Sequence, residues 1–432
     1  MEKRRVVVTG LGTVNPTGNS VEESWSAIKK GVCGIGPITK FDTTDFKVKL
    51  AGEIKNFEVD KRLNKREARR MAPFTQYALY AAEEAIWDSG LLPSSQTKED
   101  GKEAMPYEIR IDDENIADKF GVIVSSGIGG IGIIEQEHDR GKEKGFERVS
   151  PFFIPMSITN MAAGRIAISH GLKGICTCPV TACAGGSNAI GDAFHRIRDG
   201  YEDVCLCGGS EGSITPLSIG GFSSMTALSF SEDPKRASIP FDLERSGFVM
   251  GEGSGMLVLE ELEHAKKRGA KIYAEMVGYG ANCDAYHITA PDPEGNGAKK
   301  CIELALKDAG ASKEEVSYIN AHGTSTHLND AGETKAIKKV FGDYAYKIPV
   351  SSTKSMTGHL LGGAGGVEAV FCVKALEEGF IPATIGYEKK DPECDLDIVP
   401  NEGRNKDLEV VLSNSLGFGG HNACLAFRKY KD

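Results

Sequence analysis

Two fused α/β halves are expected from this sequence, for three reasons. Its 432 residues exceed one ordinary core but suit two. A pattern of apolar strand, tight turn, glycine-rich helix start and helix occurs twice, around Cys183 and around His359. Glycine is abundant, with 52 residues, as many short strand-to-helix loops require.

The start, Arg4-Arg5-Val6-Val7-Val8-Thr9-Gly10, has too short an apolar run for a signal peptide and reads as a first β-strand. The halves are expected to cover residues 1–265 and 266–432, joined near the charged helix Glu261 to Lys271. Between Leu92 and Asn115 a polar stretch offers nothing core-like, so 93–115 reads as a surface insertion. Phe120 to Val124 is a strand leading into Gly127-Ile128-Gly129-Gly130-Ile131-Gly132, which satisfies G-x-G-x-x-G. A dinucleotide fold needs a second strand ending in an acidic residue about 20 positions later. The polar run Glu135 to Arg148 comes instead, so nicotinamide and flavin are not expected.

Ile175 to Ala182 is apolar and β-prone and reads as a buried strand. Ala189, Ile190, Ala193, Phe194 and Ile197 then share one helical face, and Gly200 ends the helix. Cys183 falls between, on a turn where Ala184, Gly185 and Gly186 leave room for a substrate at the backbone. A helix N-terminus is worth roughly 0.3–1 kcal/mol to an anion, up to ~2 when buried, so it lowers a thiol by about one pKa unit. An imidazole partner is needed as well.

Tyr318-Ile319-Asn320-Ala321 ends a strand before His322, which the hydroxyls Thr324, Ser325 and Thr326 follow. Ile348 to Ser352 is a strand before His359, and Gly362 to Gly366 opens a helix whose apolar face is Val367, Val370, Phe371 and Ala375. That helix ends at Gly379, and Phe380 to Thr384 mirrors the strand Val204 to Cys207 of the first half. A lone histidine is more often structural. Two in small-residue loops behind a thiol point to an acyl-accepting nucleophile with two proton-handling or oxyanion-holding imidazoles.

The other cysteines read as core residues. Cys176-x-Cys178 and Cys205-x-Cys207 are spaced too closely for zinc loops, so no metal is expected. Eleven cysteines at irregular spacing fit a reducing cytoplasm. No apolar run approaches the ~20 residues of a membrane span. A net charge of -10 disfavours a general nucleic-acid role. Against that sign, Asp60 to Met71 gathers six cations, including Arg66, Arg69 and Arg70. They form either a solvated face or a docking surface for an acidic partner.

These segments resemble the β-ketoacyl-[acyl-carrier-protein] synthases, the decarboxylating condensing enzymes of fatty-acid synthesis. The likeness runs over nearly the whole chain, from Arg4–Gly12 to Asn414-Ser415-Leu416-Gly417-Phe418-Gly419-Gly420-His421-Asn422. It implies the thiolase-like, five-layered αβαβα fold of two pseudo-duplicated halves, usually a homodimer. It implies no cofactor beyond the phosphopantetheine that acyl carrier protein brings. Cys183 would take the acyl chain as a thioester, and His322 and His359 would hold the malonyl thioester carbonyl and promote decarboxylation. Thr324 and Thr326 match residues that bind the pantetheine arm; Lys354, Asp330 and Glu333 match the polar shell that orients the histidines. Phe418 matches a mobile gate whose N–H joins that of Cys183 in an oxyanion hole. Ile128, Phe222 and, across the dimer, Phe153 match acyl-pocket positions of the elongating class II type. Arg66, Arg69 and Arg70 match basic carrier-docking positions, whereas Thr226 stands where a further arginine can occur. A polyketide synthase of the same fold and a cysteine hydrolase are the rival readings.

Overall fold

The structure, a computed structural model, describes residues 3–92, 109–111 and 113–431. Its main sheet has ten strands. The first half supplies β1 (Val6–Val14), β2 (Phe120–Ser125), β3 (Cys176–Thr177), β4 (Val204–Glu211) and β5 (Gly253–Glu261). The second supplies β6 (Ala274–Cys283), β7 (Val316–Asn320), β8 (Val350–Ser351), β9 (Val410–Gly417) and β10 (His421–Arg428). Across the sheet the order is β8-β7-β9-β10-β6-β1-β5-β4-β2-β3, so 1-5-4-2-3 recurs as 6-10-9-7-8. The senses recur too. β5 is antiparallel to β1 and β4, and β2 is parallel to β4 and β3. Likewise β10 is antiparallel to β6 and β9, and β7 is parallel to β9 and β8. The halves join where Val6, Val7 and Val8 pair with Met276, Glu275 and Ala274.

Among the described residues seven helices run to ten residues or more: α1 (Pro73–Ser89), α2 (Ile131–Lys144), α3 (Met161–His170), α4 (Gly185–Arg198), α5 (Asn296–Ala309), α6 (His327–Phe341) and α7 (Ala364–Glu378). The central core joins Ile190 and Phe194 of α4 with Val367 and Phe371 of α7 and strand residues of both halves. One outer core sets Phe74 and Ile86 of α1 and Ile166 of α3 against Val122, Leu206 and Val258. The other sets Ile302 of α5 and Val340 of α6 against Ile319 and Leu412. This is the five-layered, thiolase-like arrangement.

The glycines that open α4 and α7 serve this packing, not substrate access. A Cβ on Gly186 would lie 2.8 Å from Gly366 N, and one on Gly365 would lie 2.4 Å from Ser187 Oγ. The two central helices therefore cross where they lack side chains. Gly366 also backs onto β4 and β5, its Cβ position 2.3 Å from Gly255 O and 2.8 Å from Gly209 N. Gly366→Ala is expected to destabilise the fold by about 1–3 kcal/mol, the usual cost of overpacking. A lowered urea midpoint at unchanged m-value checks it.

Three expectations change. Ile175–Ala182 is not a buried strand: only Cys176–Thr177 pairs, at the sheet's outer edge, and both residues are exposed. Pro179 cannot donate to a ladder, which limits the strand to its first residues. Phe380–Thr384 is not the counterpart of β4. Phe380–Ile381 pairs with Arg404–Asn405 in a separate two-stranded sheet, and β9 takes the equivalent place. Of the segment read as a surface insertion, residues 93–108 and 112 lie outside the described residues. Its later part is not all surface, because Ile109 is fully buried and its carbonyl is 3.1 Å from His170 Nδ1.

Candidate active site

Cys183 is the middle residue of a 3-10 turn, Ala182–Ala184, that runs directly into α4. Its twin, Leu361–Gly363, runs into α7 just after His359. The first residue of each turn is left-handed, with φ +50° at Ala182 and +47° at Leu361. Such backbone costs about 1–3 kcal/mol outside glycine, and here it presents the reactive loops toward one another. Gly417 lies against the Cys183 turn; a Cβ there would be 2.8 Å from Thr181 O and 3.2 Å from Cys183 N. That approach brings the N–H of Phe418 to the sulfur, where it and the N–H of Cys183 favour the thiolate. Burial is the larger effect and pushes the thiol up to about 12. The helix N-terminus therefore does not lower this thiol on balance, because desolvation outweighs a dipole.

His322 follows β7, and its ring meets that of His359 at 5.2 Å between centroids and 84° between planes. Burial, reinforced by Lys354, holds both imidazoles well below their ordinary pKa, so both are neutral near pH 7. Among the described residues neither Nδ1 has a hydrogen-bond partner. Phe248 packs edge-on against His359 at 5.2 Å and against Phe222 at 5.5 Å. Phe222 in turn faces Phe418 at 6.3 Å.

Cys183, His322, His359, Thr324, Thr326, Phe222 and Phe418 all line one cavity of about 100 Å³. Ligand sites for drug-sized molecules are roughly 300 Å³ and larger, so this cavity is small for such a ligand. Ile128 joins Cys183 and Phe222 around a neighbouring apolar cluster that includes Phe248 and Leu361. Phe153 is half-buried and lies outside the cavity of its own chain.

The polar residues do separate jobs. Glu333 accepts from the backbone N–H of His322 and of Gly323, each at 2.9 Å, and from Asn414 Nδ2 at 3.1 Å. It fixes the loop rather than the imidazole. Asp330 accepts from Phe241 N–H at 2.9 Å and Asn329 Nδ2 at 3.0 Å. Lys354 is buried in an ion pair with Glu368, whose pKa burial pushes up to about 7. Glu368 was not singled out in the sequence, although a lone carboxylate on the apolar face of α7 is a visible signal. Among the described residues, Glu368 Oε2, Asn320 Oδ1 and Asn414 Oδ1 are buried without a hydrogen-bond partner. No group of three or more His, Cys, Asp or Glu able to hold a metal occurs among the described residues.

The G-x-G-x-x-G loop is filled from within. The buried Glu211 carboxylate accepts from the N–H of Gly127 at 2.8 Å, of Ile128 at 3.3 Å and of Gly362 at 3.2 Å. A carboxylate thus occupies the donors that a dinucleotide phosphate would need. Arg66, Arg69 and Arg70 are exposed, on and just after the single helical turn Lys65–Ala68. Arg70 stacks on Phe152 at 4.9 Å and lies 3.8 Å from Glu67. Arg62 turns inward to Glu84 at 3.2 Å, so the six cations do not share one face.

Residues 3–265 match the family model for the beta-ketoacyl synthase N-terminal domain, and residues 273–388 the model for its C-terminal domain. The chain belongs to the β-ketoacyl synthase family. A Synechocystis sp. member, named 3-oxoacyl-[acyl-carrier-protein] synthase 2, is 54% identical over 432 residues, covering 100% of this chain and 99% of its own. A Staphylococcus aureus protein of the same name is 50% identical over 430 residues, with 100% and 99% covered. Among solved structures, a type II polyketide ketosynthase, in complex with its acyl-carrier protein and bound to a hexaketide, superimposes with a TM-score of 0.88 at 36% identity. That match covers 99% of this chain and 100% of the other. A β-ketoacyl synthase from Burkholderia phymatum gives 0.87 at 33% identity, with 99% and 100% covered.

Proposed function

We propose that this β-ketoacyl synthase elongates fatty-acid chains by decarboxylative Claisen condensation, joining malonyl-acyl-carrier-protein to an acyl group held on Cys183. The observation that carries this reading is one thiol and two neutral imidazoles around a single cavity. The names of the relatives at 50% and 54% identity support it.

In the first step the Cys183 sulfur attacks the acyl thioester carbonyl, and the carrier's pantetheine thiol leaves with the proton. The N–H groups of Phe418 and Cys183 receive the developing oxyanion. Malonyl thioester then loses CO2, and the electron pair of the broken C–C bond becomes an enolate. His322 and His359 donate to that enolate oxygen; one such donor is worth about 2.7–4 kcal/mol. Because they are neutral, they bind the enolate without protonating its carbon. The carbanion attacks the acyl-Cys183 carbon, and the Cys183 thiolate leaves and takes a proton from water to restore the thiol. The 3-oxoacyl-carrier departs, with CO2 and the carrier freed in the first step as the other products. Release of CO2 from malonyl-carrier in step with 3-oxoacyl product tests the reading.

A cysteine hydrolase would orient its base with a carboxylate or amide, and the unpartnered Nδ1 atoms of both histidines argue against one. A polyketide pathway is the weaker alternative, since that ketosynthase shares 36% of residues against 54% for the Synechocystis protein.

Acyl carrier protein is the proposed partner, with docking at Arg66, Arg69 and Arg70. Changing Arg69 and Arg70 to Glu is expected to raise the KM for carrier-bound substrate about tenfold, because exposed pairs are worth only ~0.2–1 kcal/mol each and repulsion adds to the loss. Turnover of a short pantetheine thioester should barely change, and added salt should shrink the difference. An unchanged KM at low ionic strength would place docking elsewhere.

A homodimer is proposed as well. The edge strand β3 is exposed, and near it in sequence Ile154, Ile158 and Val180 expose 58%, 42% and 52% of their surface. Phe153 would enter the partner's acyl pocket from this face. Cytoplasmic residence is supported by eleven unpaired cysteines. No helix among the described residues is long and apolar enough to cross a membrane.

A further inference from the structure

The segment Ile239–Phe248 carries none of the three reactive groups, yet it touches both sides of the cavity. On one side it grips the turn Thr324–His327. Ile239 N–H donates to Ser325 Oγ at 3.0 Å, and Gly247 N–H donates to Ser325 O at 3.0 Å. The turn needs this support, because Ser325 is left-handed at φ +70°. Arg245 takes the next two carbonyls, donating from Nε to Thr326 O at 3.2 Å and from Nη2 to His327 O at 3.1 Å. Its Nη1 donates to Asp242 O at 2.8 Å and to the Asp391 carboxylate. Asp330 Oδ2 lies 3.5 Å from Nε, and the arginine side chain is only 1% exposed. Asp330 is tied through Asn329 to the cavity wall. At the far end of the segment, Phe248 carries the edge contact with His359.

We propose that Arg245 is a positioning residue: it sets the Thr324–Thr326 hydroxyl pair for the pantetheine arm and keeps that pair in register with His359. The inference rests on Thr324 and Thr326 binding the arm. Their Oγ1 atoms are 2.9 Å apart, and they line the same cavity as both histidines. An extended arm delivers its thioester correctly only if its anchor and the catalytic imidazole are held in one frame. A misplacement of about 1 Å in such a frame can cost roughly 100-fold in rate. A planar guanidinium can hold Thr326 O, His327 O, Asp242 O and Asp391 at once. The compact ammonium of a lysine cannot spread its donors over that set.

The test is Arg245→Lys, which keeps a cation for Asp330 and Asp391 but withdraws donors from the turn. KM and kcat are measured with malonyl-carrier and with a malonyl thioester of a short thiol lacking both pantetheine amides. Cys183 alkylation and the unfolding midpoint are followed alongside. Losing a charge-assisted hydrogen bond to the turn should raise the KM for malonyl-carrier about tenfold. Use of the truncated thioester and the alkylation rate should change by less than about twofold, as for sites that do not share the interaction. Thr326→Val is the reference arm, and its effect should be less than additive with that of Arg245→Lys.

If Thr326→Val raises KM and Arg245→Lys does not, the inference is wrong while the site reading stands. Equal losses with both substrates would make Arg245 a general scaffold and also overturn it. If Thr326→Val leaves KM unchanged, the arm-binding reading fails and takes the inference with it. Should Arg245→Lys not fold, Asp391→Asn weakens the far anchor of the guanidinium while leaving Arg245 and every residue of the turn in place. It must raise the same KM, and an unchanged value overturns the proposal.

Discussion

Cys183→Ala is expected to abolish condensation, with no product above the uncatalysed background. Cys183 is the one cysteine lining the cavity that holds both histidines, so no other thiol there can carry the acyl group. The buried Cys205, Cys207, Cys301, Cys372 and Cys424 pack within the sheets and helices. Alanine removes the sulfur without disturbing the backbone N–H groups of residues 183 and 418, so the oxyanion hole survives. Malonyl decarboxylation without condensation should therefore persist in the variant, because the proposed mechanism forms the enolate at the histidines and not at the thiol. Mass spectrometry of the protein after incubation with acyl-carrier checks the assignment directly. A stable acyl adduct on the variant, or elongation near the normal rate, would remove Cys183 from the mechanism.

The second large effect belongs to the histidines. His322→Ala and His359→Ala should each slow malonyl decarboxylation by at least about 100-fold, as loss of one oxyanion donor commonly does. Their rings stand 5.2 Å apart and nearly perpendicular, so the two can approach one oxygen from different directions. Self-acylation of Cys183 should survive better in His322→Ala than decarboxylation does, since acyl transfer depends on the sulfur and its two N–H donors. The pH dependence follows from the depressed pKa of both rings. A group whose folded pKa is lowered stays neutral well below its ordinary range, so the donor function of these histidines should hold through mildly acidic pH. Normal malonyl turnover in either variant would exclude that histidine.

Cys183, His322 and His359, which the structure brings to one cavity, stood out because each lies in a run of small residues, although only His322 follows a strand directly. That local signal needs no knowledge of the rest of the fold. Arg245 gave no comparable signal, since its partner Asp391 lies 146 residues away. Glu368, by contrast, pairs with Lys354 only 14 residues back, and its sign, a carboxylate on an apolar helix face, was there to be read. The twofold pattern was visible in the loops but not in its full extent. The β9 counterpart of β4 comes only after the excursion through Phe380–Asn405, and sequence order alone favoured the nearer segment. Strand propensity over Ile175–Ala182 says nothing about whether an edge is free or covered. Ile109 was hidden by its polar neighbours, and only its place beside His170 shows that it is core.

The side-chain-free crossing of α4 and α7 has a consequence for how the protein is made. α7 packs largely against β4 and β5 of the first half, whereas α4 sits on β2 and β4 of its own half and takes the rest of its cover from α7, β6 and β10. The first half therefore emerges from the ribosome with part of the apolar face of α4 uncovered. Ala189, Ile190, Ala193 and Phe194 have their full cover only once residues past Phe371 have been synthesised and docked. Until then the nascent chain carries an adhesive surface, the kind of intermediate that chaperones recognise. Neither half is a smaller enzyme. A chain severed between Leu262 and Lys271 should recover activity only when both fragments refold in one another's presence, and each fragment alone should aggregate.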